Sequence, residues 1–186
     1  MMTNYQGKVL IAHPNMPNDN IFSRSVVYIY QDDAQNGTIG LILNKKSNYR
    51  ISDVCNEKGI IFGDMQSKIY KGGPVNQQAL ILLHTSEWGS TNTTDVRNNL
   101  CVSSDDTMLA KIGSGNQPHY WRLFGGMSAW MPGQLDAEMQ GRFPFKPENS
   151  WLIANLTHND IFEYTGDKQW QVAFELCSKQ MYDQYF

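Results

Sequence analysis

Apolar runs broken by short turn signals dominate the first half of the chain, and helical spacing of apolar positions appears only later. Residues 8–12 are a short, mostly apolar run closed by His13-Pro14, which predicts a buried strand. Residues 25–30 and 38–43 are β-branched and aromatic, and Asn36-Gly37 between them is the signal of a type I′ hairpin turn. The polar residues 31–35 offer the alternative of a longer loop. Residues 51–57 fit a short helix ending near Gly59, whereas 60–62 are too few to assign. Lys71-Gly72-Gly73-Pro74-Val75 forms a rigid turn before residues 79–83, whose continuous apolar character suits a strand covered on both faces and ended by His84. Residues 85–99 are polar, apart from Trp88, and predict a loop.

In the second half, residues 100–102 predict a strand, and Ser103 with Asp106 forms a capping arrangement for a helix over about 104–112, stopped by Gly113. Residues 120–124 predict another strand. The stretch LFGGMSAWMPGQLDAE, residues 123–138, is the one around which the chain is organised. Gly125-Gly126 permit a sharp turn that closes the strand, and Pro132-Gly133 delay the next helix until about Gln134. Trp130 and Leu135 supply apolar bulk there, while Gln134 and Glu138, four apart, share a helix face. Residues 151–154 predict a late strand. Trp170, Phe174, Cys177 and Met181 then mark a final helix with one apolar stripe. No repeat or linker divides the chain, so residues 1–186 are expected to form one domain.

Charge narrows the function classes. Fifteen Lys and Arg against eighteen Asp and Glu give a net charge of -3, which opposes broad attraction to phosphate backbones and makes direct nucleic-acid binding unlikely as a class. Lys45, Lys46 and Arg50 form the densest basic cluster, in a polar stretch that fits a solvated loop. Cys55, Cys101 and Cys177 match neither a disulfide framework nor zinc-ligand spacing, and a reducing cytoplasm is the simplest compartment. No stretch approaches the roughly 20 apolar residues a membrane helix needs, so the chain is expected to be soluble, unexported and off the membrane.

No complete catalytic motif is present. A G-x-S-x-G elbow and an H-E-x-x-H pair are both absent, and His13, His84, His119 and His158 are scattered. Gly113-Ser114-Gly115 lacks the rest of a phosphate loop. Gly72-Gly73 could cup an anion, but Pro74 removes the next N–H donor. Cys101 lies between a strand and a helix start, where a dipole could favour the thiolate, although flanking Leu100 and Val102 suit core packing. No metal site and no cofactor are expected.

Three segments together resemble the AlgH/YqgE-like family of bacterial proteins, whose biochemical function is largely uncharacterised. They are GKVLIAHPNMPNDNIFSRSVVYIY at 7–30 with GLILN at 40–44, YKGGPV at 70–75 with the strand to His84, and SSDD at 103–106 leading through GGMSAWMPGQLDAE. The resemblance implies a compact α/β (α+β) sandwich with a mixed, largely antiparallel sheet and flanking helices. Some family members carry a transcription-regulator label, but no helix-turn-helix or basic stripe is visible here. The chain departs from the family pattern at Met127 and Ala129, and it carries extra residues between Glu138 and Asn149-Ser150-Trp151, including 142–147, placed to cover or reshape a neighbouring cleft.

The resulting expectation is a cytoplasmic binding or regulatory module with a shallow apolar cleft for a small molecule or protein partner. Its candidate residues are Asn44, Gly72, Gly73, Trp130, Gln134 and Glu138. The alternative is an enzyme using His84 or Cys101, and a third reading is a regulator acting indirectly on transcription.

Overall fold

The computed structural model describes residues 3–146 and 150–186. In chain order its elements are β1 (Val9–Ala12), β2 (Val26–Asp33), β3 (Gly37–Ile42), β4 (Lys46–Arg50), α1 (Ile51–Glu57), β5 (Lys68–Lys71), β6 (Val75–Thr85), β7 (Thr94–Asp95), β8 (Leu100–Ser103), α2 (Asp106–Gly113), β9 (Trp121–Trp130), α3 (Gln134–Met139), β10 (Trp151–Ala154), α4 (His158–Glu163) and α5 (Gly166–Tyr185). This is an α+β fold with a curled, largely antiparallel sheet in the order β10-β1-β2-β3-β9-β6-β8-β7, flanked by helices. The β4–β5 ribbon joins through a parallel pairing of β5 with β9.

Strand β9 holds the two halves together. Its first half pairs with β5 at Phe124 and Gly125, its second half pairs with β3 from Ser128 to Trp130, and β6 runs along its other edge. Alternation of apolar residues then builds three layers. Ile11, Tyr28 and Leu41 from one half meet Leu83, Leu100 and Phe124 from the other in a shared interior, closed by Ile161 of α4 and by Ala173 and Cys177 of α5. The alternate residues Leu10, Val27 and Ile29 point the other way and pack with Trp130, Leu135 and Trp151. Ile69, Leu82 and Leu123 pack under Ile51 and Cys55 of α1 and Met108 and Ile112 of α2.

Several expectations change. Gly125-Gly126 do not end a strand, because β9 continues through them for ten residues in all. The hairpin between β2 and β3 is not type I′: Asp33 pairs with Gly37 across a three-residue loop, and positive φ falls on Gly37 but not on Asn36. Residues 31–33 extend β2 after a bulge at Ile29/Gln31. Lys46–Arg50 is a strand, not a loop. The cap of α2 is Asp105, whose side chain accepts from the Thr107 and Met108 N–H groups, while Ser103 ends β8. On α5, Met181 is exposed and the buried stripe runs through Gln169, Ala173 and Cys177. A short helix capped by a Thr157–Asp160 box, α4, had no counterpart in the sequence reading. In the extra segment Phe143 is fully exposed, whereas Pro147 and Asn149 lie outside the described residues.

Candidate functional site

Three of the six candidate residues come together. Helix α3 folds back over the end of β9, so that Glu138 Oε2 accepts from Trp130 Nε1 at 3.1 Å and from Trp151 Nε1 at 3.0 Å. Its Oε1 accepts from Gln134 Nε2 at 2.9 Å, and Gln134 Oε1 takes the Met131 N–H at 3.0 Å. Phe22 stacks on Trp130 with ring centres 6.0 Å apart and meets Trp151 edge-on at 5.4 Å. Trp130 is only 4% exposed. The expected cleft at Trp130 and Gln134 is therefore a filled cluster whose polar groups satisfy one another, as buried polar groups must.

Asn44 and the glycine pair lie elsewhere. Buried Asn44 accepts the Val26 N–H and donates to the carbonyls of Arg24 and Gly166, which fastens the end of β3 to the start of α5. Gly72 sits in the fork where β9 leaves β3 for β5. Its carbonyl accepts from Ile42 N and Ser128 Oγ, and its N–H donates to the Gly125 carbonyl. A Cβ on Gly72 would lie 2.2 Å from the Gly126 carbonyl oxygen, and one on Gly73 would lie 2.3 Å from the Met127 carbonyl. Only glycine permits this backbone crossing. The glycine pairs are thus a packing device.

His84 and Cys101 are also buried. His84 Nδ1 donates to the Thr85 carbonyl at 2.9 Å, which leaves Nε2 to accept from Ser103 Oγ at 2.8 Å, and Thr93 Oγ1 donates in turn to Ser103 at 2.7 Å. Burial pushes the His84 pKa down and keeps the ring neutral, although the hydrogen bond to Thr85 and the Glu87 charge act the other way. The Cys101 thiol donates to Asp95 Oδ1, and burial together with that carboxylate pushes its pKa up to about 12. A reactive thiolate is the opposite of what this environment favours. Among the described residues no cluster of three or more His, Cys, Asp or Glu side chains could hold a metal ion.

A concavity of about 880 Å³ opens on the other side of the glycine crossing. The β4–β5 ribbon contributes Ser47, Tyr49, Ile69 and Lys71, α1 contributes Asp53, Val54 and Glu57, and the start of α2 contributes Asp105, Met108 and Leu109. Its remaining wall is a local excursion of β6. Val75 pairs with Met127 and Leu80 with Gly125, so residues 76–79 all stand opposite Gly126, with Gln77 and Gln78 exposed in the groove. Of the six candidates only Gly73 lines this space. Alternation at Lys45, Ser47 and Tyr49 and at Ile69 and Lys71 is the period-two signal that could have found it, but the charges there resemble a solvated loop.

A curled sheet whose halves share one strand, with a polar-rimmed groove beside the shared strand, defines a class of α+β proteins. The family model described as AlgH-like matches residues 9–182, and the chain belongs to the AlgH-like family. A UPF0301 protein of Methylococcus capsulatus is 31% identical over 171 residues, covering 91% of this chain and 89% of the relative. A UPF0301 protein of Rickettsia africae is 30% identical over 176 residues, covering 92% and 88%. The solution structure of the AlgH protein from Pseudomonas aeruginosa superposes with a TM-score of 0.75 at 24% identity, covering 95% of this chain and 91% of that one, a likeness of fold.

Proposed function

We propose that this chain is a binding module that takes a small polar ligand, or a short segment of a partner protein, in the groove between the β4–β5 ribbon, α1 and the β6 excursion. The groove itself carries the proposal. At about 880 Å³ it falls within the range of small-molecule sites. Its floor is apolar through Ile69, Leu80 and Leu109, and its rim presents Tyr49, Lys71, Gln77 and Gln78. We take the module to work in the cytoplasm, which its three buried free thiols support. No helix among the described residues is long and apolar enough to cross a membrane. A regulatory role, on this reading, runs through groove occupancy and a protein partner, in keeping with the net charge of -3.

Thermal unfolding against a panel of metabolites and short peptides tests the proposal. A groove ligand at about 100 times its Kd adds roughly 2.7 kcal/mol and raises the midpoint by about 5 to 10 °C. Tyr49→Ala, by weakening the ligand about tenfold, should roughly halve that shift while leaving the fold intact. A shift unchanged in Tyr49→Ala would sink the groove as the site.

The enzyme reading has one observation in its favour, the His84–Ser103 contact at 2.8 Å. Both residues are buried, so it requires the covering loop at residues 86–93 to open. Labelling of Ser103 by a fluorophosphonate, lost in His84→Ala, would support it, and an unlabelled folded protein would reject it.

A further inference from the structure

One end of the groove carries two lysines that no ion pair engages among the described residues. Lys45 and Lys71 face each other where the β4–β5 ribbon begins: the Lys71 N–H donates to the Lys45 carbonyl at 2.7 Å, and both residues line the groove. Like charges opposed across two strands destabilise the pair. Lys46 lies outside the groove lining, with Nζ 5.9 Å from the centre of the Tyr70 ring. The Arg122 guanidinium lies 4.4 Å from the centre of the same ring and is buried. Arg122 donates to the carbonyls of Leu43, Phe162 and Tyr164 and to Gln169 Oε1, all neutral acceptors.

Neither Lys45 nor Lys71 is ion-paired among the described residues. The ion pairs among the described residues are Arg24–Asp167 and His119–Glu87. Asp167 is the acid whose field reaches Lys45, and it is held 2.8 Å from Arg24. The Lys45 ammonium instead donates to the Ile21 carbonyl. Burial lowers its pKa, Asp167 raises it and Lys71 lowers it further. The other acids lining the groove, Asp53 and Glu57 of α1 and Asp105 and Asp106 at α2, belong to different walls. Helix α1 starts after Arg50, which pairs with Lys68, two residues or about 7 Å along β5 from Tyr70, the partner of Lys46. Asp105 is occupied by Ser90, Thr107 and Met108.

We propose that this end of the groove is an anion site, in which a carboxylate or phosphate group of the ligand sits between Lys45 and Lys71. The inference rests on the groove being the binding site, and it names the chemistry of what binds. The bound anion relieves the Lys45–Lys71 repulsion, so affinity and the instability of the empty site have one origin.

The test is a titration of ¹⁵N-labelled protein with inorganic phosphate, succinate, putrescine and a neutral diol of similar length, at constant ionic strength, followed by amide chemical shifts. Amides of residues 45–47 and 70–73 should shift saturably with phosphate or succinate and not with putrescine. Saturation by phosphate alone assigns a phosphate group, and saturation by succinate alone assigns a carboxylate. Lys71→Gln should weaken the response at least fivefold and raise the ligand-free thermal midpoint by about 1 °C. Lys179→Gln, exposed on α5 and outside the groove, should change the response less than twofold. Linear shifts spread over all lysines, or saturation indifferent to Lys71→Gln, would overturn the anion site. Groove amides that answer to putrescine or the diol but not to anions would overturn the anion assignment and leave the groove standing. If no probe of any charge moves a groove amide, both readings fall.

Discussion

The Trp130–Glu138 cluster and the groove use similar residue types, an aromatic ring with glutamines and acids beside glycines, and yet one is closed and the other open. In the cluster Glu138 receives three N–H donors and Gln134 is engaged through both its oxygen and its nitrogen. In the groove Tyr49 is 71% exposed, and Gln77 and Gln78 face solvent. The difference lies in the backbone. Strand β9 continues past Gly126 and carries Trp130 into a sheet layer that α3 covers, whereas β6 departs from its ladder at residues 76–79 and leaves a space unfilled. Residue type shows what a patch could bind, and strand register decides whether it is free to do so.

The harshest way to break that contrast is to disturb the crossing between the two regions. Gly72→Ala should cost about 4 kcal/mol or more, or prevent folding, because the new Cβ meets a backbone oxygen at 2.2 Å. Gly63→Ala, with nothing within 4 Å, should change stability by less than about 0.5 kcal/mol. Urea unfolding separates the two. Next in size, Glu138→Ala leaves two indole N–H groups without an acceptor and should cost about 2–3 kcal/mol. Groove ligands should still bind, and if they do not, the two regions are one site after all.

A smaller effect comes from acid. The folded His84 pKa is lowered from 6.5, first by burial, so the unfolded chain binds the proton more readily. Its contribution is fully present above the folded and unfolded pKa values. Stability therefore falls as pH drops through about 6.5, by at most about 1.4 kcal/mol per pH unit, until the folded ring itself protonates. A thermal midpoint that declines between pH 7 and 5, with a flatter profile in His84→Gln, is the expected result. Smallest of all in stability is Tyr49→Ala, which should stay within about 0.5 kcal/mol of the parent while weakening a groove ligand about tenfold. A large loss of stability there would make the groove wall structural.

Much of the fold was legible because it rests on local periodicity. The apolar runs of β1 and β6, the hydrophobic face of α2 and the short α1 were all visible as patterns. The site was less so. Gly125 and Gly126 advertise conformational freedom, but their use is close approach by Gly72 and Gly73, some fifty residues earlier, and spacing along one segment does not encode that. The shared face of Gln134 and Glu138 was readable from helix geometry, whereas the bond from Trp130 to Glu138 and its burial under α3 were not. Lys45 and Lys46 were conspicuous as charges, and only the pairing of β4 with β5 puts Lys45 in a groove wall.

The shared strand also sets a timetable for the nascent chain. Strand β3 is complete at Ile42, but its partner β9 begins at Trp121, about 80 residues later, or roughly 4 to 16 s of synthesis at ~5–20 residues per second. Once synthesis has passed Thr85, β3, β5 and β6 each present an edge meant for a strand that does not yet exist. A ribosome stalled between residues 85 and 121 would therefore display three unpaired edges at once, the condition in which strands join the wrong partner. Full-length chains released from that point should become protease-resistant in a single late step, when β9 inserts and both half-sheets close around it.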